Sequence, residues 1–133
     1  MKTAPHFLIV DDDPINNIIC KTIIKTALPE ATINDFTDPE KGLSFIETEY
    51  LKPEAPETIL LLDINMPAIS GWQFLDYYRF FKPTIKNHIN IYINSSSVDP
   101  LDKVKAQEDE NVMGYIVKPL TKEMILRLIE PLK

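Results

Sequence analysis

The chain has 133 residues, 44% of them hydrophobic and 26% charged, which fits one soluble globular domain. Fourteen lysines and arginines against twenty aspartates and glutamates leave a net charge of −6, a poor match for the clustered cations of a nucleic-acid grip. Only three glycines are present, Gly42, Gly71 and Gly114, and no two are close, so a glycine-rich backbone cradle for phosphate is excluded.

The first apolar run, 7–10, reads as a strand that ends in Asp11, Asp12 and Asp13. Those acids also argue against a signal peptide at this end. Asp13-Pro14 then opens a helix, the aspartate as cap and the proline at the first position, where its missing N–H does no harm. Ile15, Ile18, Ile19, Ile23 and Leu28 approximate an i, i+3, i+4 stripe and are expected to face the core. Cys20 lies in the same stretch and reads as a buried free thiol. As the single cysteine it excludes an internal disulfide and a cysteine zinc site, and His6 and His88 are too far apart to suggest a histidine one.

A second strand over 31–36 leads through Asp38-Pro39 into a helix over 39–50, and the loop 52–57 carries Pro53 and Pro56. The Leu-rich run 59–62 suits a central strand buried on both sides. It ends in Asp63, followed by Ile64-Asn65-Met66-Pro67. The helix expected over 71–81 holds six of the chain's twelve aromatics. Phe74, Tyr77, Tyr78 and Phe81 share one face and read as core, whereas Trp72 and Phe80 fall off it.

The next run alternates Ile89, Ile91 and Ile93 with Asn90, Tyr92 and Asn94, so one face is more polar than a central strand should be, and it ends in Ser95, Ser96 and Ser97. Asp99-Pro100 opens a helix over 100–109. Gly114 is expected to relieve a tight turn before the strand 115–117, which ends in Lys118-Pro119, and Thr121 caps a helix over 122–129. No apolar run approaches the ~20 residues that span a bilayer, so a cytoplasmic protein without membrane insertion is expected.

Strands alternating with helices give an α/β fold with a mainly parallel sheet and helices on both faces. Ligands of such sheets bind beyond the carboxyl ends of the strands. There this chain gathers acids from two strands, hydroxyls from a third and a lysine from a fourth. Two carboxylates ~4 Å apart repel by about 4 kcal/mol at an effective dielectric near 20, a burden that a hard divalent cation relieves. Oxygen donors of this kind suit Mg²⁺ or Mn²⁺.

The ordered set of Val10-Asp11-Asp12-Asp13-Pro14, Leu62-Asp63-Ile64-Asn65-Met66-Pro67 with Gly71, Ser95-Ser96 and Tyr115-Ile116-Val117-Lys118-Pro119 resembles the receiver domain of two-component response regulators, of the stand-alone, chemotaxis-regulator-like kind. The resemblance implies one receiver domain over 5–131. Its fold would be a doubly wound, flavodoxin-like, five-stranded parallel sheet in the order 2-1-3-4-5.

Carried over by position, Asp63 is the phosphoacceptor, a carboxylate nucleophile toward phosphorus. Asp12 and Asp63 ligate the metal with the Asn65 backbone carbonyl, and Asp11 acts through water. Lys118 and Ser95 bind phosphoryl oxygens, and Ser95 with Tyr115 forms the switch. A cis peptide before Pro119 is also implied. No organic cofactor is expected. The partners implied are a sensor histidine kinase or phosphotransfer protein and a downstream protein target.

Such a domain phosphorylates itself and loses the phosphoryl group slowly, rather than acting as a conventional enzyme. Two other readings are an aspartyl-phosphate phosphatase, which would want an acid where Asn65 stands, and a receiver-like interaction module independent of phosphate. The sequence equally suits a stand-alone receiver and a piece of a longer regulator.

Overall fold

Strands and helices alternate throughout the computed structural model, which describes residues 4–132. In chain order they are β1 (His6–Val10), α1 (Pro14–Ala27), β2 (Thr32–Phe36), α2 (Pro39–Glu49), β3 (Thr58–Leu62), α3 (Gly71–Tyr78), α4 (Pro83–Lys86), β4 (Ile89–Ser95), α5 (Pro100–Glu108), β5 (Val112–Val117) and α6 (Lys122–Leu128), followed by a 3-10 turn at Glu130–Leu132. Asp13, Asp38 and Asp99 each cap the helix that follows by accepting from the backbone N–H two residues on, with proline between. Thr121 caps α6 by accepting from the Met124 N–H. A capping box between Ser70 and Gln73 starts α3, a signal that sequence reading passed over.

The strands form one parallel sheet in the order β2-β1-β3-β4-β5, as the resemblance implies. Strand alternation divides the core in two. Leu8, Val10, Leu60, Leu62, Ile91 and Ile93 meet Ile46 of α2, Phe74 and Tyr78 of α3, Ile85 of α4 and Ala106 of α5. On the other face Phe7, Ile9, Ile59, Leu61 and Ile116 meet Cys20 and Ile24 of α1 with Ile125 and Leu128 of α6. All five residues of β3 are buried, as a central strand between two helix layers requires.

Four local expectations are corrected. In α1 the inward residues are Asn17, Cys20 and Ile24, while Ile15, Ile18 and Ile19 are 67%, 59% and 48% exposed. The isoleucine period is real, but only Ile23 and Leu28 of that stripe reach the core, both partly buried. Helix α3 stops at Tyr78 rather than Phe81, and the extra turn α4 follows it. Its core side is set by Phe74, Leu75 and Tyr78, which leaves Tyr77 beyond the edge and 58% exposed. Phe81 is half-buried and packs on Tyr78, while Phe80 points to solvent. Gly114 lies inside β5 instead of a turn, and a Cβ there would stand 3.2 Å from the Tyr92 ring.

Gly71 is the glycine that the site depends on. A Cβ at Gly71 would come within 2.6 Å of the Asp63 carbonyl oxygen and 2.7 Å of Ile64 Cα, both backbone atoms. The start of α3 is thus pressed against the end of β3, and the Gly71 N–H donates to the Ile64 carbonyl at 3.1 Å. Gly71→Ala is expected to destabilise the fold by about 1–3 kcal/mol, as overpacking against fixed backbone does. Urea denaturation would show this as a lower midpoint, and an unchanged midpoint would mean that α3 can back away.

Candidate functional site

Register builds the site. Val10 of β1 pairs with Leu62 of β3, so Asp11 and Asp63, the next residues of each strand, emerge side by side. Ser95 of β4 pairs with Val117 of β5, and Lys118 follows directly. A slip of one residue in either pairing would turn these side chains to opposite faces. Backbone bonds close the rim: the Asp63 N–H donates to the Val10 carbonyl at 3.0 Å and the Lys118 N–H to the Ser95 carbonyl at 2.8 Å. The Lys118–Pro119 peptide is cis.

Asp11, Asp12 and Asp63 each offer a carboxylate oxygen within 4.8 Å of the others. Asp11 and Asp63 are buried and Asp12 is the more exposed, facing an open cleft of about 310 Å³ beside Asp38, Glu40 and Met66. A set of hard oxygen donors this close could hold a divalent metal ion. Asn65 is exposed in the turn after β3, and its backbone N–H donates to Asp63 Oδ1 at 3.4 Å.

Lys118 stands between the two buried acids. Its Nζ is 2.8 Å from Asp11 Oδ2 and 3.9 Å from Asp63 Oδ1, a hydrogen bond to the first and an ion pair with the second. Burial acts to lower its pKa, but the hydrogen bond and charge of Asp11, with the charge of Asp63, outweigh it and hold the ammonium above its ordinary range. Asp63 goes the other way. Burial, then the neighbouring charge of Asp11, push its carboxyl up to about 6, against the pull of Lys118 and the Asn65 N–H.

Ser95 is fully buried at the end of β4, and its Oγ accepts from the Ser97 N–H at 3.1 Å. The Tyr115 hydroxyl donates to the Ser97 carbonyl at 2.9 Å, and the Ser97 hydroxyl donates to Asp102 of α5 at 2.6 Å. Ser97 therefore ties both expected switch residues to α5. A run of three serines carries no signal that separates it from its neighbours. Sequence reading also missed Asn16, whose Nδ2 donates to Asp11 Oδ2 at 2.7 Å, and Asn17, whose Nδ2 donates to the Asp11 carbonyl at 3.0 Å.

Comparison with known proteins bears on this arrangement. Residues 7–130 match the response regulator receiver domain. The chain is 30% identical to a two-component response regulator from Cytophaga hutchinsonii of known structure, covering 98% of this chain and 97% of that one with a TM-score of 0.87. The chemotaxis response regulator CheY4 of Vibrio cholerae shares the fold, with a TM-score of 0.71 at 18% identity over 98% of this chain and all of that one. The nitrate/nitrite response regulator NarL of Escherichia coli is 25% identical over 92% of this chain, which spans about half of that protein's length.

The raised pKa of Asp63 has a consequence for stability. A carboxyl whose pKa is higher folded than unfolded favours the native state only below its unfolded value near 3.8, and that contribution is lost as pH rises through about 6. In metal-free buffer at pH 7.5, Asp63→Asn is therefore expected to be more stable than the wild type by about 2–3 kcal/mol. The gap should close near pH 4. Urea titrations at the two pH values read it directly, and equal stability at pH 7.5 would contradict it.

Proposed function

The chain belongs to the response regulator receiver domain family, and on that premise we propose that Asp63 accepts a phosphoryl group from the phosphohistidine of a sensor kinase or phosphotransfer protein. The observation that carries this reading is a buried carboxylate, Asp63, grouped with the acids Asp11 and Asp12 and beside a lysine that does not fully neutralise it. In the transfer, an Asp63 carboxylate oxygen bonds to phosphorus as the phosphorus–nitrogen bond breaks, and the electron pair leaves with the imidazole.

Asp12 and Asp63 would hold Mg²⁺ (or Mn²⁺), with the Asn65 backbone carbonyl and with Asp11 through water. The ion, when bound, supplies positive charge that screens the phosphoryl oxygens from the acids. Lys118 would pair its ammonium with one phosphoryl oxygen, and Ser95 would donate its hydroxyl hydrogen to another. Ser95 in doing so would bias the contact of Ser97 with Tyr115 and hence α5, shifting a pre-existing two-state equilibrium.

The exposed Ile15, Ile18 and Ile19 of α1, beside the acidic rim, offer an apolar face to the phosphodonor. Leu101 and Val104 of α5, Met113 of β5 and Leu126 of α6 are also exposed and would meet the downstream target. The described residues include no helix long and apolar enough to cross a membrane, and we place the protein in the cytoplasm with its phosphodonor. One phosphoryl group per chain is taken up and slowly given to water, so the chain acts as a phosphoacceptor rather than a turnover enzyme. Asn65, where a phosphatase would carry an acid, agrees with that.

Acetyl phosphate with Mg²⁺ should add the mass of one phosphoryl group to the wild type and none to Asp63→Asn, read by intact mass spectrometry. EDTA should abolish the gain, and Lys118→Ala should slow it by about a hundredfold, the scale of removing one electrostatic stabiliser. No gain in the wild type, or an equal gain in Asp63→Asn, would refute the assignment.

A further inference from the structure

Beneath the acidic rim, where α1 meets β4, lies a polar cluster that phosphoryl transfer has not yet used. The first two turns of α1 are inside out: the isoleucines face solvent, and Asn16, Asn17 and Cys20 face inward. Asn94 of β4 is 2% exposed, and its Nδ2 reaches Cys20 Sγ at 3.7 Å. Asn16 Nδ2 reaches the same sulfur at 3.7 Å from the other side. Burial keeps the Cys20 thiol above its ordinary pKa, so the sulfur stays neutral.

Packing alone does not account for these amides. The side-chain oxygens of Asn17 and Asn94 are buried without a partner among the described residues, a cost that an apolar residue would avoid. What the cluster does accomplish is visible at Asp11. Oδ1 accepts from the Asp13 N–H at 3.0 Å, and Oδ2 accepts from both Asn16 Nδ2 at 2.7 Å and Lys118 Nζ at 2.8 Å. Asn17 holds the Asp11 carbonyl. Asn16 is the only side chain besides Lys118 that bonds the Asp11 carboxylate among the described residues, and Cys20 fixes Asn16 in turn.

We propose that Asn16 is a positioning residue for phosphoryl transfer: its amide fixes the Asp11 carboxylate, which in turn keeps the Lys118 ammonium 3.9 Å from Asp63 rather than directly hydrogen-bonded to it. The inference rests on the reading of Asp63 as phosphoacceptor. A lysine bonded directly to Asp63 would tie up the lone pair that must attack phosphorus and would stand where a phosphoryl oxygen has to enter. With Asp11 released from Asn16, Lys118 is free to make that collapse.

Asn16→Ala removes the donor and favours the helix, so the fold should persist. Asn16→Asp keeps the shape but sets a carboxylate against Asp11. Asn16→Gln retains an amide. The maximal rate of phosphorylation by acetyl phosphate should fall about tenfold in Asn16→Ala and further in Asn16→Asp, as expected for loss of one charge-assisted hydrogen bond, and should recover in part in Asn16→Gln.

A second readout needs neither metal nor phosphodonor. The Lys118 ammonium, assigned by its loss in Lys118→Arg, should shift its nitrogen-15 resonance in Asn16→Ala and return toward the wild-type position in Asn16→Gln. An unchanged resonance in both Asn16→Ala and Asn16→Asp, or wild-type rates in both, overturns the proposal. A wild type that takes no phosphoryl group counts against the acceptor reading instead, and the resonance then still decides whether Asn16 positions Lys118.

Discussion

Repulsion among carboxylates at the carboxyl edge of the sheet is the constraint around which the molecule is arranged. Asp11, Asp12 and Asp63 bring oxygens within 4.8 Å of one another, and two unit charges at that distance repel by roughly 3–4 kcal/mol at an effective dielectric near 20. The two buried acids meet it differently. Asp11 is surrounded by donors: Lys118, the Asn16 amide and the Asp13 N–H. Asp63 has one long bond from the Asn65 N–H and a lysine 3.9 Å away, and its carboxyl is pushed up to about 6. That asymmetry suits the nucleophile that we propose Asp63 to be. A carboxylate already saturated with hydrogen bonds has its lone pairs engaged, whereas an under-paired one keeps them free to bond to phosphorus.

The scaffold protects this imbalance by leaving the rim little freedom. Parallel register sets Asp11 beside Asp63 and Lys118 beyond Ser95. Gly71 lets α3 press on the Asp63 carbonyl, and the next residue, Trp72, has Lys105 of α5 5.0 Å above its ring. On the other side, Ser97 touches Ser95 through its N–H, Tyr115 through its carbonyl and Asp102 through its hydroxyl. Helix α5 is thus coupled to the rim at two places. A new bond donated by the Ser95 hydroxyl would draw its Oγ toward the acceptor and away from the Ser97 N–H that it now accepts from, and the rest of that loop cannot stay indifferent. Packed elements of this kind have alternative arrangements rather than a continuous range, which is why a local charge can be read at a distance.

The fold was legible because short apolar runs and three Asp-Pro helix starts punctuate the chain regularly, and the acids and lysine of the site were legible because they stand at strand ends. What stayed hidden depends on contacts across elements. The isoleucines of α1 satisfy a helical period, but period alone does not say which side of the helix faces the sheet. Tyr77 lies three residues from Phe74, but the buried arc of α3 extends from Phe74 toward Leu75 and Tyr78, and period alone does not say on which side of Phe74 that arc lies. Gly114 answers to the Tyr92 ring on the neighbouring strand, and nothing adjacent in sequence announces that ring. Ser97 and Asn16 act through single hydrogen bonds to other elements, which no periodicity encodes.

The inside-out start of α1 makes sense once both of its faces are given work. In an isolated domain it is a poor arrangement, since each half-exposed isoleucine forgoes about 1–2 kcal/mol that full burial would supply. Buried amides with unpartnered oxygens add a further cost. The helix stays in place because its later turns are apolar inward: Ile24 is fully buried, with Ile23, Ala27 and Leu28 packed beside it. That anchor frees the first two turns from the core. Their inner face can then be polar and hold Asp11, and their outer face can be apolar and open to the phosphodonor that we propose. Docking there, as proposed, would recover the forgone burial at the same rim that carries Asp63. On the proposed reading, recognition and chemistry would be carried on opposite sides of the same two helical turns.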